Sequence, residues 1–129
     1  MDRDQARQLA EAVALGRIAI GIVALVAPTV PLRPWVGRDF AWQPRAKLLA
    51  RSLGARDLAL GIGVLMALRH KAPVRGWVEG AALADAGDTL ATLLAFPKLP
   101  KGGRWLVLAS AGGAAVAARL AAPVIDSES

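Results

Sequence analysis

From Ile18 to Leu32 the chain carries no charged residue, and within that run IAIGIVALVA is apolar on every face. A helix on the surface of a soluble bundle keeps a polar face, and this one has none. The pattern predicts a first helix over residues 8–27, stopped by Pro28 in APTVPLRPWVG. Between Pro28 and Gln43 three prolines argue against a long helix, and Trp35, Phe40 and Trp42 stand beside Arg33, Arg38 and Asp39. That is the composition of a membrane headgroup belt. The stretch reads as a surface loop whose Trp residues pack on helix ends; the functional alternative is a lid over an opening between helices. A second helix opens on Pro44, a good first helical residue, and runs over 44–69. A third covers 74–96, between Pro73 and Pro97, and a fourth 103–122, where WLVLASAGGAAVAA is uncharged. The polar end DSES is expected to fray.

This pattern predicts an all-α fold, an up-down-up-down four-helix transmembrane bundle filling a single domain over 1–129. Each segment reaches the roughly 20 residues of a span only by admitting ionisable groups. A soluble four-helix protein is the alternative. Rows of small residues favour tight helix contact in lipid: Gly76, Gly80 and Ala84; Ala59, Gly63 and Ala67; Ala109, Gly113 and Ala117.

The charges inside these segments change the picture. Arg17, Arg56, Asp57 and Asp85 each fall about 9 to 13 residues, or about 14 to 20 Å, from a predicted helix start, near the middle of a hydrocarbon core about 30 Å thick. Asp88 lies one turn from Asp85 on the same face. Arg51 and Glu79 are nearby, Glu79 shallower and turned away. A lone charge at mid-bilayer costs about 2.5 to 3.5 kcal/mol on insertion scales, so these groups are expected to meet one another. Arg17, Arg51 and Arg56 face Asp57, Glu79, Asp85 and Asp88, which leaves one acid in excess. One carboxyl of the Asp85 and Asp88 pair is therefore expected to hold a proton, the raw material of a proton relay or a general acid. The bland reading is that the same ion pairs only fix which helices pack and in what register.

Composition narrows the chemistry. Hydrophobic residues make up 55% of the chain but aromatic ones only 5%, so Ala, Leu and Val dominate, which is helix chemistry rather than strand chemistry. With no Cys and one His, His70, disulfide frameworks, thiol nucleophiles and Cys- or His-rich metal sites are excluded; no metal or cofactor is expected. The net charge of +6 falls mostly in the connecting stretches, where anionic headgroups attract it, so nucleic acid is not the expected partner. Gly61 and Gly63 make no dinucleotide fingerprint, and Ser52 and Ser110 have no neighbouring His. KGGR at 101–104 reads as a turn opening a helix, and Arg and Lys divide so evenly between the two ends that orientation stays open.

Within ARSLGARDLALG, the residues Arg51, Gly54, Arg56, Asp57, Leu60 and Gly61 spell R-x-x-G-x-R-[DE]-x-x-L-G. In this motif the chain resembles small bacterial, often actinobacterial, membrane proteins of unknown function, and more loosely the DoxX-like four-helix membrane proteins. The resemblance covers about Leu15 to Ala95, with an Arg in the first helix and the acidic ADAGD in the third. It implies four helices in the bacterial inner (cytoplasmic) membrane and assigns no catalytic residue.

The leading expectation is an integral membrane protein whose polar centre binds a lipophilic small molecule. In it Asp85 and Asp88 are candidate acid and base, and Arg17, Arg51, Arg56, Asp57 and Glu79 are binding or charge-pairing residues. The competing classes are an accessory membrane subunit locked by the same charges, and a proton-coupled carrier working as an oligomer. The expected partners are the bilayer, a lipophile, and a second copy or another subunit.

Overall fold

Asp2 and Gln5 start the first helix together. The Gln5 amide donates to the Asp2 carboxylate at 2.8 Å, and the Asp2 amide donates to the Gln5 side chain at 3.0 Å. This reciprocal cap satisfies two otherwise free donors, so α1 runs over Arg3–Val26, five residues earlier than the apolar pattern predicts. The structure, a computed structural model, describes residues 1–127. Along them follow α2 (Thr29–Val36), α3 (Arg38–Ala41), α4 (Pro44–Arg69), α5 (Arg75–Ala95), a 3-10 turn over Phe96–Lys98 and α6 (Lys101–Ala121), with no strand among the described residues.

The stretch predicted as a loop thus forms two short helices. Pro34 sits inside α2, and the break before α3 is made at Gly37, whose φ of 92° only glycine adopts at little cost. Among the described helices, α1 is the one both long and apolar enough to cross a membrane on length and composition. The others carry charges along their length or, in α6, mostly Ala and Gly, which contribute less hydropathy.

α1 packs chiefly along α4, and α5 along α6. The α1–α4 crossing is antiparallel and close enough to exclude side chains. A Cβ on Gly21 would lie 2.6 Å from the Gly54 carbonyl oxygen, one on Gly54 2.7 Å from the Ala24 Cβ, and one on Gly61 2.7 Å from the Ala14 carbonyl oxygen. These contacts correct the predicted small-residue rows. Nothing lies within 4 Å of a Cβ added at Gly76, Gly80 or Gly113, and of the glycines in those rows Gly63 alone is tightly packed, against the Trp77 ring.

Two apolar clusters bracket the middle of the molecule. One joins Ala6, Ala10, Ala14, Val64, Ala67, Val74, Val78, Ala121, Ala122 and Ile125. The other joins Leu32, Ala41, Ala46 and Ala50. Ile125 is fully buried, and the Asp126 carboxylate accepts the backbone amides of Val74 and Arg75 at 2.8 to 3.0 Å, capping α5. The predicted frayed end is therefore anchored as far as Asp126, while residues 128 and 129 lie outside the described residues.

Small side chains dominate the buried positions, and many large apolar ones are exposed. The buried apolar residues are mostly alanine, while Val26, Leu83 and Leu94 are 75 to 78% exposed, and Leu90, Trp105, Val116 and Leu120 are exposed too. The buried polar residues are Arg17, Asp85 and Thr92.

Candidate functional site

Arg56 and Asp57 are the two central residues of the 26-residue α4, and Asp85 is the central residue of the 21-residue α5. Arg17 reaches them from α1 because Gly61 presents no Cβ where α1 crosses; a Cβ there would lie 3.4 Å from that of Arg17. The two glycines of the α4 motif thus act sterically. Gly54 and Gly61 let α1 lie against α4, and Arg17 enters between them.

The pairing is specific. Arg17 donates from Nη2 to Asp85 Oδ2, with the Ala81 carbonyl 3.3 Å from the same nitrogen, and from Nη1 to Asp57 Oδ1 at 3.1 Å. Arg56 grips both oxygens of Asp88, at 2.7 and 3.1 Å, and donates again to Asp57 Oδ1 at 3.1 Å. Asp57 therefore bridges two guanidinium groups, one from α1 and one from its own helix. The cluster is sealed at one end and open at the other, since the Arg17 and Asp85 side chains are 8 and 9% exposed and that of Arg56 31%.

Two expected members lie elsewhere. Arg51 is exposed and donates to the Leu25 carbonyl at 3.1 Å. Glu79 is exposed and accepts from Arg75 one turn earlier at 2.7 Å. Removing one cation and one anion leaves the imbalance predicted from the sequence intact, with two Arg against three Asp. Asp85 and Asp88 also do not face each other as a proton-sharing pair, since each takes its own guanidinium. Asp88 has both oxygens engaged; Asp85 keeps Oδ1 free of any hydrogen bond among the described residues. Of the two candidate acid-base groups, Asp85 is the one with an oxygen that takes no hydrogen bond among the described residues.

The cluster lies in the wall of a cavity of about 400 Å3 between α1, α2, α4, α5 and α6. Ile20, Leu53, Trp35, Leu106 and Val107 supply much of its apolar lining. A second space of about 30 Å3 lies beyond Arg17 and Asp85, among Val64, Val78 and Ala118, with room for about one water. The proline-rich stretch is a wall of the larger cavity, to which Pro31, Leu32, Pro34 and Trp35 all contribute. It is held there by Trp35, whose Nε1 donates to Thr92 Oγ1 at 3.1 Å, while Thr92 donates to the Asp88 carbonyl at 2.7 Å. At its far side Gly103 packs so closely on the Pro34 carbonyl that no Cβ fits. Arg104 next to it donates to the Phe96 carbonyl at 2.9 Å and lies over the Phe96 ring.

Trp35 and Thr92 are the site residues least visible in sequence. Thr92 follows Asp88 by four residues and so shares its face, which is the one signal that points to it. His70 lies away from the cavity, its Nδ1 donating to the Met66 carbonyl at 2.8 Å. Among the described residues no group of three acidic, His or Cys side chains is placed to hold a metal ion. No family model, curated protein or solved structure matches this chain.

Proposed function

We propose that the chain is a multi-pass protein of the bacterial cytoplasmic membrane, its four long helices crossing up-down-up-down, and that its cavity binds a lipophilic small molecule against the Arg17, Arg56, Asp57, Asp85 and Asp88 cluster. The observation that carries this reading is a cavity of about 400 Å3 with charged groups in an otherwise largely apolar wall. A space of that size, mostly apolar with a few convergent polar groups, suits a small organic ligand. Ion pairs needed only to lock helices leave no reason for an opening beside them, which weighs against the accessory-subunit reading.

Three features support lipid as the surrounding solvent. Large aliphatic side chains face outward while charge is buried. The long helices, 21 to 26 residues each, measure about 31 to 39 Å at the helical rise, enough for the hydrocarbon core. Only 28% of the apolar window of α1 is buried, unlike the core helix of a soluble protein. The likeness of the α4 motif to small bacterial membrane proteins points the same way. In the carrier alternative, the open oxygen of Asp85 takes the proton, and uptake by reconstituted vesicles disappears in Asp85→Asn.

Native mass spectrometry of the mild-detergent extract tests the binding reading. The wild-type protein is expected to retain a lipophilic adduct. Gly16 lines the cavity, and a Cβ there meets nothing within 4 Å, so Gly16→Leu is expected to fill the space and lose the adduct with its helicity unchanged. An adduct-free wild-type protein, or an adduct retained equally by the variant, overturns the proposal.

A further inference from the structure

The cluster leaves two carboxylate oxygens without a donor. Asp57 accepts all its bonds on Oδ1, Asp88 is held on both oxygens by Arg56, and Asp85 is held on Oδ2 by Arg17. Asp57 Oδ2 and Asp85 Oδ1 remain. Their residues both line the cavity. The sealed side-chain atoms that lack a partner are Arg3 Nε, Arg17 Nε and Arg104 Nε, so these two oxygens are not closed off from the open space. The Asp85 side chain is 9% exposed, a buried carboxylate with one unpartnered oxygen in a residue that borders both the cavity and the smaller space beyond it.

Formal charge points in the same direction. Two guanidinium groups meet three carboxylates, so one acid is in excess in a cavity wall that is otherwise largely apolar, to be balanced by a proton or, with all three ionised, by a cationic ligand. The ionised excess acid is costly without a counter-charge, and the low dielectric of the surroundings strengthens its attraction for one. An anionic ligand would add a second uncompensated charge; a neutral one would leave the first in place.

We infer that the ligand is a lipophilic amine, bound as its ammonium, with N–H groups donating to Asp57 Oδ2 and Asp85 Oδ1 and its apolar body against Ile20, Leu53, Leu106 and Val107. This rests on the cavity being a lipophile site and adds the charge of the head group. An ammonium supplies both the donors and the positive charge the site lacks, and charge-assisted bonds to carboxylates are roughly twice as strong as neutral ones.

The test compares three probes with one body and different heads: adamantylmethylamine, adamantylmethanol and adamantanecarboxylate. Each is titrated calorimetrically against the full chain in nanodiscs, with empty nanodiscs as the blank. The amine is expected to bind about tenfold or more tightly than the alcohol, and the carboxylate more weakly than either. Asp57→Asn keeps an oxygen for Arg17 and Arg56 but removes the surplus charge, and is expected to bring the amine down to the affinity of the alcohol. Equal binding of amine and alcohol by the wild-type protein overturns the inference and leaves the lipophile site standing. Failure of all three probes to bind overturns both. Should Asp57→Asn not fold, the order of the three heads on the wild-type protein decides alone.

Discussion

Replacing Arg17 with leucine is expected to cost about 3 to 5 kcal/mol of stability, the largest loss from any single change in the molecule. Arg17 has a side chain 8% exposed, and it is the partner of Asp85 and one of two partners of Asp57. Its removal strands the Asp85 carboxylate in a site that water barely reaches. The loss is the cost of the abandoned charge and exceeds the net worth of the pair, because both ions were desolvated to form it. The double variant Arg17→Leu/Asp85→Leu is therefore expected to recover most of the stability, since apolar residues of similar volume often replace a buried pair at little cost. Unfolding of the detergent-solubilised protein, followed by helicity against denaturant, measures both. A single-variant loss below about 1 kcal/mol would mean that Arg17 is solvated and that the buried pair is not a structural unit.

Gly21→Ala is expected to be strongly destabilising, and Gly16→Ala, five residues earlier on the same helix, to be neutral or stabilising. A Cβ on Gly21 would lie 2.6 Å from the Gly54 carbonyl oxygen and 2.9 Å from the Leu58 amide nitrogen. Both are backbone atoms of α4 and cannot rotate away, so α1 must lift from α4. Overpacking of this kind typically costs about 1 to 3 kcal/mol, and here it also pulls Arg17 from Asp57. At Gly16 a Cβ meets nothing within 4 Å, and the gain in helix propensity, about 0.5 to 1 kcal/mol, stands alone. Thermal unfolding midpoints of the two variants, compared with wild type, are expected to move in opposite directions or to leave Gly16→Ala unchanged. A Gly21→Ala protein as stable as the wild type would contradict the close crossing.

Much of this fold is legible in the sequence, and the parts that are not have physical reasons. The α-helical class follows from composition and periodicity. Pro44 marks the start of α4, because proline at a first helical position needs no amide partner. Charged residues hide the start of α1 from an apolar pattern, although Asp2 and Gln5 carry the spacing of a reciprocal cap. The short helices α2 and α3 escape the same pattern because proline excludes a long helix but not two short ones.

The meeting of Arg17, Arg56, Asp57, Asp85 and Asp88 is legible from their similar positions along three apolar segments, where an unpaired charge is costly. Membership fails where direction matters. Arg51 precedes Arg56 by five residues, about 140° round the helix, and Glu79 precedes Asp85 by six, about 240° round. Both point outside the cluster. Which acid takes which guanidinium, and the position of Trp35 against Thr92, depend on how the helices cross, which one chain's periodicity does not encode. The small-residue rows fail similarly: Gly76, Gly80 and Gly113 are well spaced but lie on open faces.

The measurement closest to the central claim, that lipid surrounds these helices and charge is buried within them, is the depth of the outward-facing aliphatic residues. The chain has no cysteine, so single-cysteine spin labels are clean reporters. Labels at Ile22, Ile62, Leu83 and Val116, one on the exposed face of each long helix, are to be compared in lipid vesicles with a label at the exposed Lys71 between α4 and α5. The four helix labels are expected to relax strongly with dissolved oxygen and hardly with a water-soluble nickel chelate, and Lys71→Cys to show the reverse. Nickel access at Leu83 and Ile62 equal to that at residue 71 would contradict the account.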